Sequence, residues 1–177
     1  MINAHEYAKA LFLITEEEGV TDAVFEDICL AKKVIGENPA YATLLDTPAL
    51  PKSERLSLVD GAFSALDPNL ENLIKILCEK HSVYALSKVA DAYSALYDEA
   101  RGIERVLAVS AVPMTQDQLS ALNKKLTGIT GKTVLITNSV DPSILGGVKL
   151  RYSGVQLDGS VKTRLDSFEE KLKALVI

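Results

Sequence analysis

Residues 99–113 read Glu-Ala-Arg-Gly-Ile-Glu-Arg-Val-Leu-Ala-Val-Ser-Ala-Val-Pro, and the chain changes character within them. Before Arg101-Gly102 the apolar residues recur at intervals of three and four, the period of a helix face. From Val106 to Val112 they are adjacent and rich in β-branched side chains, and the run stops at Pro113, which reads as a strand. The fold predicted from this switch is α+β overall. An N-terminal six-helix bundle over residues 1–102 is followed by a small α+β domain over residues 103–177.

The helical half is punctuated by caps and breakers. Asn3, with Glu6 three residues on, has the pattern of a capping box, and Gly19 supplies a left-handed stop after Glu18. Thr21 is the expected cap of a second helix with Phe25, Ile28, Cys29 and Ile35 inward, ending near Asn38-Pro39. A short third helix carries Tyr41, Leu44 and Leu45, and a fourth, after Pro48 and Pro51, carries Leu56, Val59 and Phe63. Asp67-Pro68 opens a fifth with the carboxylate at the cap and proline in the first turn. The sixth presents Leu86, Val89, Tyr93 and Leu96 on one face and closes at Arg101-Gly102.

In the second half Thr115 caps a helix with Leu119, Leu122, Leu126 and Ile129 at helical spacing. Thr133–Thr137 reads as a second strand, and Val148, Leu150 and Tyr152 alternate with Lys149 and Arg151 as a half-buried third. Ser153-Gly154 turns the chain into Val155–Leu157, and Asp158-Gly159-Ser160 starts a last helix with Leu165, Phe168, Leu172 and Leu175 on one face.

Charge divides at the same place. Residues 1–102 hold 9 Lys/Arg against 17 Asp/Glu, a net of -8; residues 103–177 hold 10 against 7, a net of +3, and the two give the overall -5. The split suggests modules that face different partners. A pI near 5.1 argues against a nucleic-acid binder, which needs a dense basic face. No apolar run approaches the roughly 18 residues of a membrane span, so a soluble chain is expected. The start, MINAHEYAKALF, has neither a basic leader nor a small-residue cleavage site, so no secretory signal is expected. Cys29 and Cys78 form no CxxC pair and suit a reducing cytoplasm.

No constellation carries chemistry. Gly131-Lys132-Thr133 ends like a phosphate-binding loop, but the full pattern needs a glycine at position 126, where Leu126 stands. The order of elements is also reversed, because a P-loop leaves a strand and opens a helix. His5 and His81 lie far apart and outside any metal-ligand spacing, and Glu16-Glu17-Glu18 fan around a helix end. No GxSxG elbow is present, and Cys29 and Cys78 lie beside apolar stripes as inert thiols. The expectation is no catalytic residue, no metal and no cofactor.

Surplus apolar surface remains. Tyr7, Ala10, Leu11 and Ile14 form one stripe of the first helix, while Ala8 and Phe12 point away from it; one stripe suffices for a bundle core. On the fifth helix Leu70, Leu73, Ile74 and Leu77 form a stripe, and Ile76 lies well off it. The excess fits a groove for a partner helix.

The segment 134–153 carries a resemblance. It reads Val134-x-Ile136, then Val140-Asp141, then Ile144-x-Gly146-Gly147-Val148-x-Leu150-Arg151-x-Ser153. This pattern resembles the signature of the delta subunit of the F-type ATP synthase, whose mitochondrial relative is the oligomycin-sensitivity-conferring protein. Tyr7-Ala-Lys-Ala-Leu-Phe12, Asn72-Leu-Ile-Lys-Ile-Leu77 and Asp158-Gly-Ser-Val161 with Arg164-Leu165 resemble further parts of that family in the same order. Physically, Gly146-Gly147 permits backbone geometry and close approach before a strand, and Asp141-Pro142 makes the turn into it, so Val140, Asp141, Ile144, Gly146, Gly147, Val148 and Leu150 read as structural. The chain departs from the family at Lys80-His81-Ser82, where relatives commonly carry Asn-Gly or a similar tight turn.

The resemblance implies a non-catalytic stator subunit, one copy per complex. It would be peripheral on the cytoplasmic face of a bacterial cell membrane, without entering it. Its N-terminal domain would receive the amphipathic N-terminal helices of the alpha subunits of the catalytic head, between the first and fifth helices. Tyr7, Ala10, Leu11 and Ile14 would form one side and Ile76 the other. The C-terminal domain would join the b subunits of the peripheral stalk, with Phe168 and Leu172 facing them. Rivals are an unrelated helical adaptor that binds an amphipathic helix and a nucleotide binder built on Gly131-Lys132-Thr133.

Overall fold

The computed structural model describes residues 3–144, 146–152 and 155–158. The chain forms two compact units, Met1–Tyr97 and Asp98–Ile177. Unit 1 holds α1 (Ala4–Glu18), α2 (Thr21–Glu37), α3 (Pro39–Asp46), α4 (Lys52–Phe63), α5 (Pro68–Glu79), a 3₁₀ turn at Val83–Ala85 and most of α6 (Leu86–Ala100). The described part of unit 2 holds β1 (Ile103–Ser110), α7 (Gln116–Thr130), β2 (Thr133–Val140), β3 (Val148–Tyr152) and β4 (Val155–Asp158). The architecture is α+β.

The division between these units falls at Tyr97–Asp98, inside the last turns of α6. Tyr97 stacks on Phe25 of α2 with ring centroids 4.2 Å apart and donates to Asp22 Oδ1 at 2.8 Å, so it belongs to unit 1. The next residue, Asp98, accepts a bidentate pair from Arg105 of β1, at 2.6 Å from Nε and 2.9 Å from Nη2.

Unit 1 closes around Ala8, Leu11, Phe12, Val24, Ile28, Leu45, Val59, Phe63, Leu70, Ile74, Leu77, Leu86, Val89 and Tyr93. One polar knot sits inside it. The Thr15 hydroxyl donates to Phe12 O at 3.0 Å and lies 2.9 Å from Tyr93 Oη, and Tyr93 Oη reaches Thr21 O at 3.4 Å. Burial, with a smaller opposing effect from Thr15, raises the Tyr93 phenol above its ordinary pKa, so the group stays neutral.

Arg55 is the second polar feature of the core, only 5% exposed. Its Nη1 donates to Leu45 O at 3.1 Å and Cys78 O at 2.6 Å, carbonyls at the C-terminal ends of α3 and α5. Two helix dipoles thus point their negative ends at one guanidinium, which accounts for a buried cation bonded to carbonyl groups. Sequence periodicity alone reads α4 as Leu56, Val59 and Phe63. The buried stripe is Arg55, Val59 and Phe63, and Leu56 is half-buried.

Caps at Asp67 and Thr115 form as expected. Asp67 Oδ1 accepts from Asn69 N at 2.8 Å, and Thr115 makes a reciprocal capping box with Gln118. Two caps differ. Asn3 precedes α1 but its side chain accepts no capping bond. Thr21 is the first residue of α2 rather than its cap, because its hydroxyl turns inward to Thr15 O at 3.1 Å. Cys29 is exposed, since Val24, Ile28, Ala31 and Ile35 occupy the core face of α2. Leu44 is also exposed, and Leu45 is the buried residue of α3.

The turn after α5 is made without glycine. His81 takes φ 50°, its N–H bonds Cys78 O at 3.1 Å, and Ser82 N–H bonds Leu77 O at 2.9 Å, the two bonds of a Schellman stop. The left-handed backbone, unfavourable for a residue with a Cβ, is held by the imidazole, whose Nδ1 lies 2.9 Å from Asp46 O and 3.1 Å from Arg55 Nη1.

The described residues of unit 2 form a four-stranded sheet in the order β2-β1-β3-β4. β1 and β2 pair in parallel over eight residues, with α7 as the crossover, and β3 and β4 add antiparallel. One sheet face carries Glu104, Val106, Ala108 and Ser110 of β1, all buried, and their register partners Val134, Ile136, Asn138 and Val140 of β2. β1 begins and ends earlier than its sequence suggests, and β2 runs three residues longer, to Val140.

Candidate functional site

The residues singled out on α1 and α5 divide between core and surface. Ala8, Leu11, Phe12 and Thr15 form the buried face of α1. Leu11, at 4% exposure, therefore belongs to the core rather than to an open stripe. Tyr7 is half-buried against the core, Ala10 is exposed, and Ile14 is 43% exposed. On α5, Leu70, Leu73, Ile74, Leu77 and Cys78 are buried and Ile76 is 43% exposed.

Helix geometry places the exposed Ile14 and Ile76 on flanks shared with half-buried and buried neighbours. Tyr7, Ile14 and Glu18 follow one flank of α1 at intervals of seven and four, and Asn69, Leu73 and Ile76 follow one flank of α5 at intervals of four and three. Asn69 Nδ2 donates to Glu18 Oε2 at 2.7 Å, which ties the two flanks together at one end of the seam. The seam between α1 and α5 is thus bordered by apolar side chains above a closed core. Leu13, at 49% exposure, is a further apolar residue of α1 that the sequence stripe does not include.

The far side of α5 is charged. Lys75 reaches Asp60 of α4 at 2.6 Å and Glu71 at 2.8 Å. The hydrogen bond from Lys75 holds the Asp60 carboxyl below its ordinary pKa, and the bonds to Asp60 and then Glu71 raise Lys75. This network fixes α5 against α4 and leaves the α1 side free of it.

In unit 2 the glycine-bearing segment acts as backbone scaffolding. Asp141 N–H bonds Ser110 O at 2.9 Å, extending the β1–β2 ladder. Asp141 Oδ1 accepts from Ser143 N at 2.9 Å and Ile144 N–H bonds Asp141 O at 3.1 Å, closing the turn at Pro142. Bonding to Ser143 lowers the Asp141 pKa. Ile144 is buried, Val140 is exposed, and Val148 and Leu150 are half-buried. Gly147 adopts φ 85°, a left-handed conformation that favours glycine, immediately before β3. Phe168 and Leu172 lie outside the described residues.

Gly131 follows α7 with φ 67°, its N–H bonded to Thr127 O at 2.9 Å. It is a helix stop that leads into β2, the reverse of a phosphate loop. Among the described residues no group of three or more His, Cys, Asp or Glu could hold a metal, and no helix is long and apolar enough to cross a membrane.

The ATP synthase delta (OSCP) subunit family model matches residues 4–172. The chain is 37% identical to the ATP synthase subunit delta of Clostridioides difficile, covering 99% of both chains. It is 36% identical to the ATP synthase subunit delta of a Geobacillus species, covering 97% of both. Its fold matches a chain in the cryo-EM structure of the Toxoplasma gondii mitochondrial ATP synthase hexamer with TM-score 0.76 and 22% identity, over 97% of this chain and 98% of that one. The chain belongs to the ATP synthase delta (OSCP) subunit family, whose members are structural rather than catalytic subunits.

Proposed function

We propose that this family member works as a stator, with unit 1 on the catalytic head and unit 2 on the peripheral stalk. A rotor that turns inside the head drags the head with it unless an outside strut resists. The chain supplies the joint of that strut and transmits load without chemistry. It sits once per complex, peripherally, at the cytoplasmic face of a bacterial membrane.

The observation that carries the assignment within unit 1 is the apolar seam. Ile14 and Ile76, each 43% exposed, lie on the flanks that the Glu18–Asn69 bond joins, with Tyr7 and Ala10 alongside. An amphipathic helix fits such a seam by burying anchors at intervals of three and four. The N-terminal helix of an alpha subunit is the occupant. Leu11 supports the seam from beneath, through the core. The net charge of -8 over residues 1–102 favours a helix with basic flanks.

The test is calorimetric titration of the full chain with a peptide from the N-terminus of the cognate alpha subunit. Tyr7→Asp and Ile76→Asp each place a charge at the seam and should weaken binding at least about tenfold. Ile76→Asp, at an exposed position, should keep the wild-type melting temperature, while Tyr7→Asp should keep its helical dichroism but melt lower, because Tyr7 packs against the core. Binding that survives both substitutions rejects this seam.

A further inference from the structure

We propose that the outer edge of β2 accepts an extended polypeptide segment as a fifth strand, and that a stalk polypeptide supplies it. The inference rests on the reading of unit 2 as the stalk-facing half. Among the described residues β2 is a margin of the sheet and pairs with β1 without a break from Thr133 to Val140. Thr133 N–H bonds Gly102 O and Asp141 N–H bonds Ser110 O, so the odd-numbered positions face β1. The N–H and C=O groups of Val134, Ile136, Asn138 and Val140 therefore face outward. Asn123 Nδ2 covers one of them, Val134 O, at 2.7 Å. Among the described residues nothing is bonded to the outward N–H and C=O of Ile136.

Edge strands of this length are ordinarily guarded by lysine, proline or a bulge, because an unguarded edge pairs with any passing strand. The sequence Thr-Val-Leu-Ile-Thr-Asn-Ser-Val carries no charge, no proline and no glycine, and its pairing is unbulged. It also leaves Leu135 45% and Val140 44% exposed. Beside it, α7 and β2 line a groove of about 490 Å³ that includes Leu119, Asn123, Lys124, Val134 and Ile136.

These features select the occupant. The open groups are backbone donors and acceptors repeated every second residue, about 6.6 Å apart, a spacing that an extended chain matches and a helix does not. Alternate apolar side chains of the incoming strand fill the groove against Leu119 and Ile136. Lys124 at its rim calls for an acidic residue on the partner, whereas a second copy of this chain would bring a lysine-bearing rim of its own.

The test is residue-level amide exchange of the full chain with and without a peptide from the C-terminal end of the cognate b subunit. Exchange at Ile136 and Asn138 should slow at least about tenfold on binding, while Leu135 and Thr137, already bonded to β1, should not change. Ile136→Pro deletes one outward N–H and spares the β1 ladder, so it should weaken binding about tenfold, whereas Ile136→Ala, which loses the same half-buried side chain but keeps the N–H, should weaken it much less. Binding without new protection at Ile136 and Asn138 overturns the strand proposal and leaves the stalk reading standing. Protection that appears only as the free chain self-associates assigns the edge to a second copy and also overturns it. Failure of the wild-type chain to bind the peptide at all rejects the stalk reading and this proposal with it.

Discussion

The helices α5 and α7 look alike in sequence and behave differently in the fold. α5 buries Leu70, Leu73, Ile74, Leu77 and Cys78 inside a bundle that encloses it on several sides. α7 has apolar residues at the same spacing, yet Leu119, Leu122 and Leu126 are only half-buried and Ile129 is 81% exposed. Periodicity tells which residues share a face; it does not tell how completely a neighbour covers that face. Unit 1 closes its own core and leaves a narrow apolar flank over it. The described part of unit 2 leaves a whole helix face and a strand edge partly wet. The docking surface proposed for unit 1 would therefore be a small addition to a finished core, whereas the strand edge proposed for unit 2 borders a face that the described residues cover only in part.

The contrast can be broken by one substitution made twice. Leu77→Ala removes a fully buried side chain from unit 1 and should cost about 3 kcal/mol in urea unfolding. Leu122→Ala, from a half-buried position, should cost about 1 kcal/mol. Equal losses would show that α7 is as tightly enclosed as α5.

Arg55 sharpens the comparison, because only a closed core makes a cation depend on helix ends. Arg55→Met keeps much of the volume but leaves the carbonyls of Leu45 and Cys78 without that donor, and should cost about 2 kcal/mol by the same measurement. A neutral result would mean that water replaces the guanidinium and that the site is less dry than its 5% exposure indicates.

A smaller effect is expected from the surface network that binds α5 to α4. The folded Asp60 pKa is lowered, so its stabilisation is present above the unfolded carboxylate pKa and is lost as pH falls through the folded one. The Lys75 pKa is raised, so its share is present at neutral pH and is lost only as pH rises through the folded lysine pKa. Asp60→Asn should flatten the acid limb of unfolding free energy against pH and leave the value at the acid end nearly unchanged. An unchanged acid limb would remove Asp60 from the account.

Much of this was legible in the sequence where the cause is local. Asp67-Pro68, Thr115 with Gln118, Gly19 and Gly131 act within a turn of their own position, and each does what its type predicts. Features set by distant contacts were not legible. Thr21 gives up its capping role because Thr15 and Tyr93 draw it into the core. Leu11 and Ile14 belong to one stripe in sequence, but the packing of α1 splits them between core and surface. The burial of Arg55 had a faint signal, its spacing of four from Val59 and eight from Phe63, which its charge overrode. His81 occupies a position that favours glycine because residues on α3 and α4 hold its ring.

The central claim is that the chain holds the head against the rotor through the α1–α5 seam. The most direct measurement is ATP-driven proton pumping beside ATP hydrolysis, in membranes carrying synthase assembled with Ile14→Asp, Ile76→Asp chain or with wild type. The account predicts that the substituted chain retains its fold and that hydrolysis continues while pumping falls sharply, because an unanchored head turns with its rotor. Pumping at the wild-type ratio to hydrolysis, in enzyme containing the substituted chain, would contradict it.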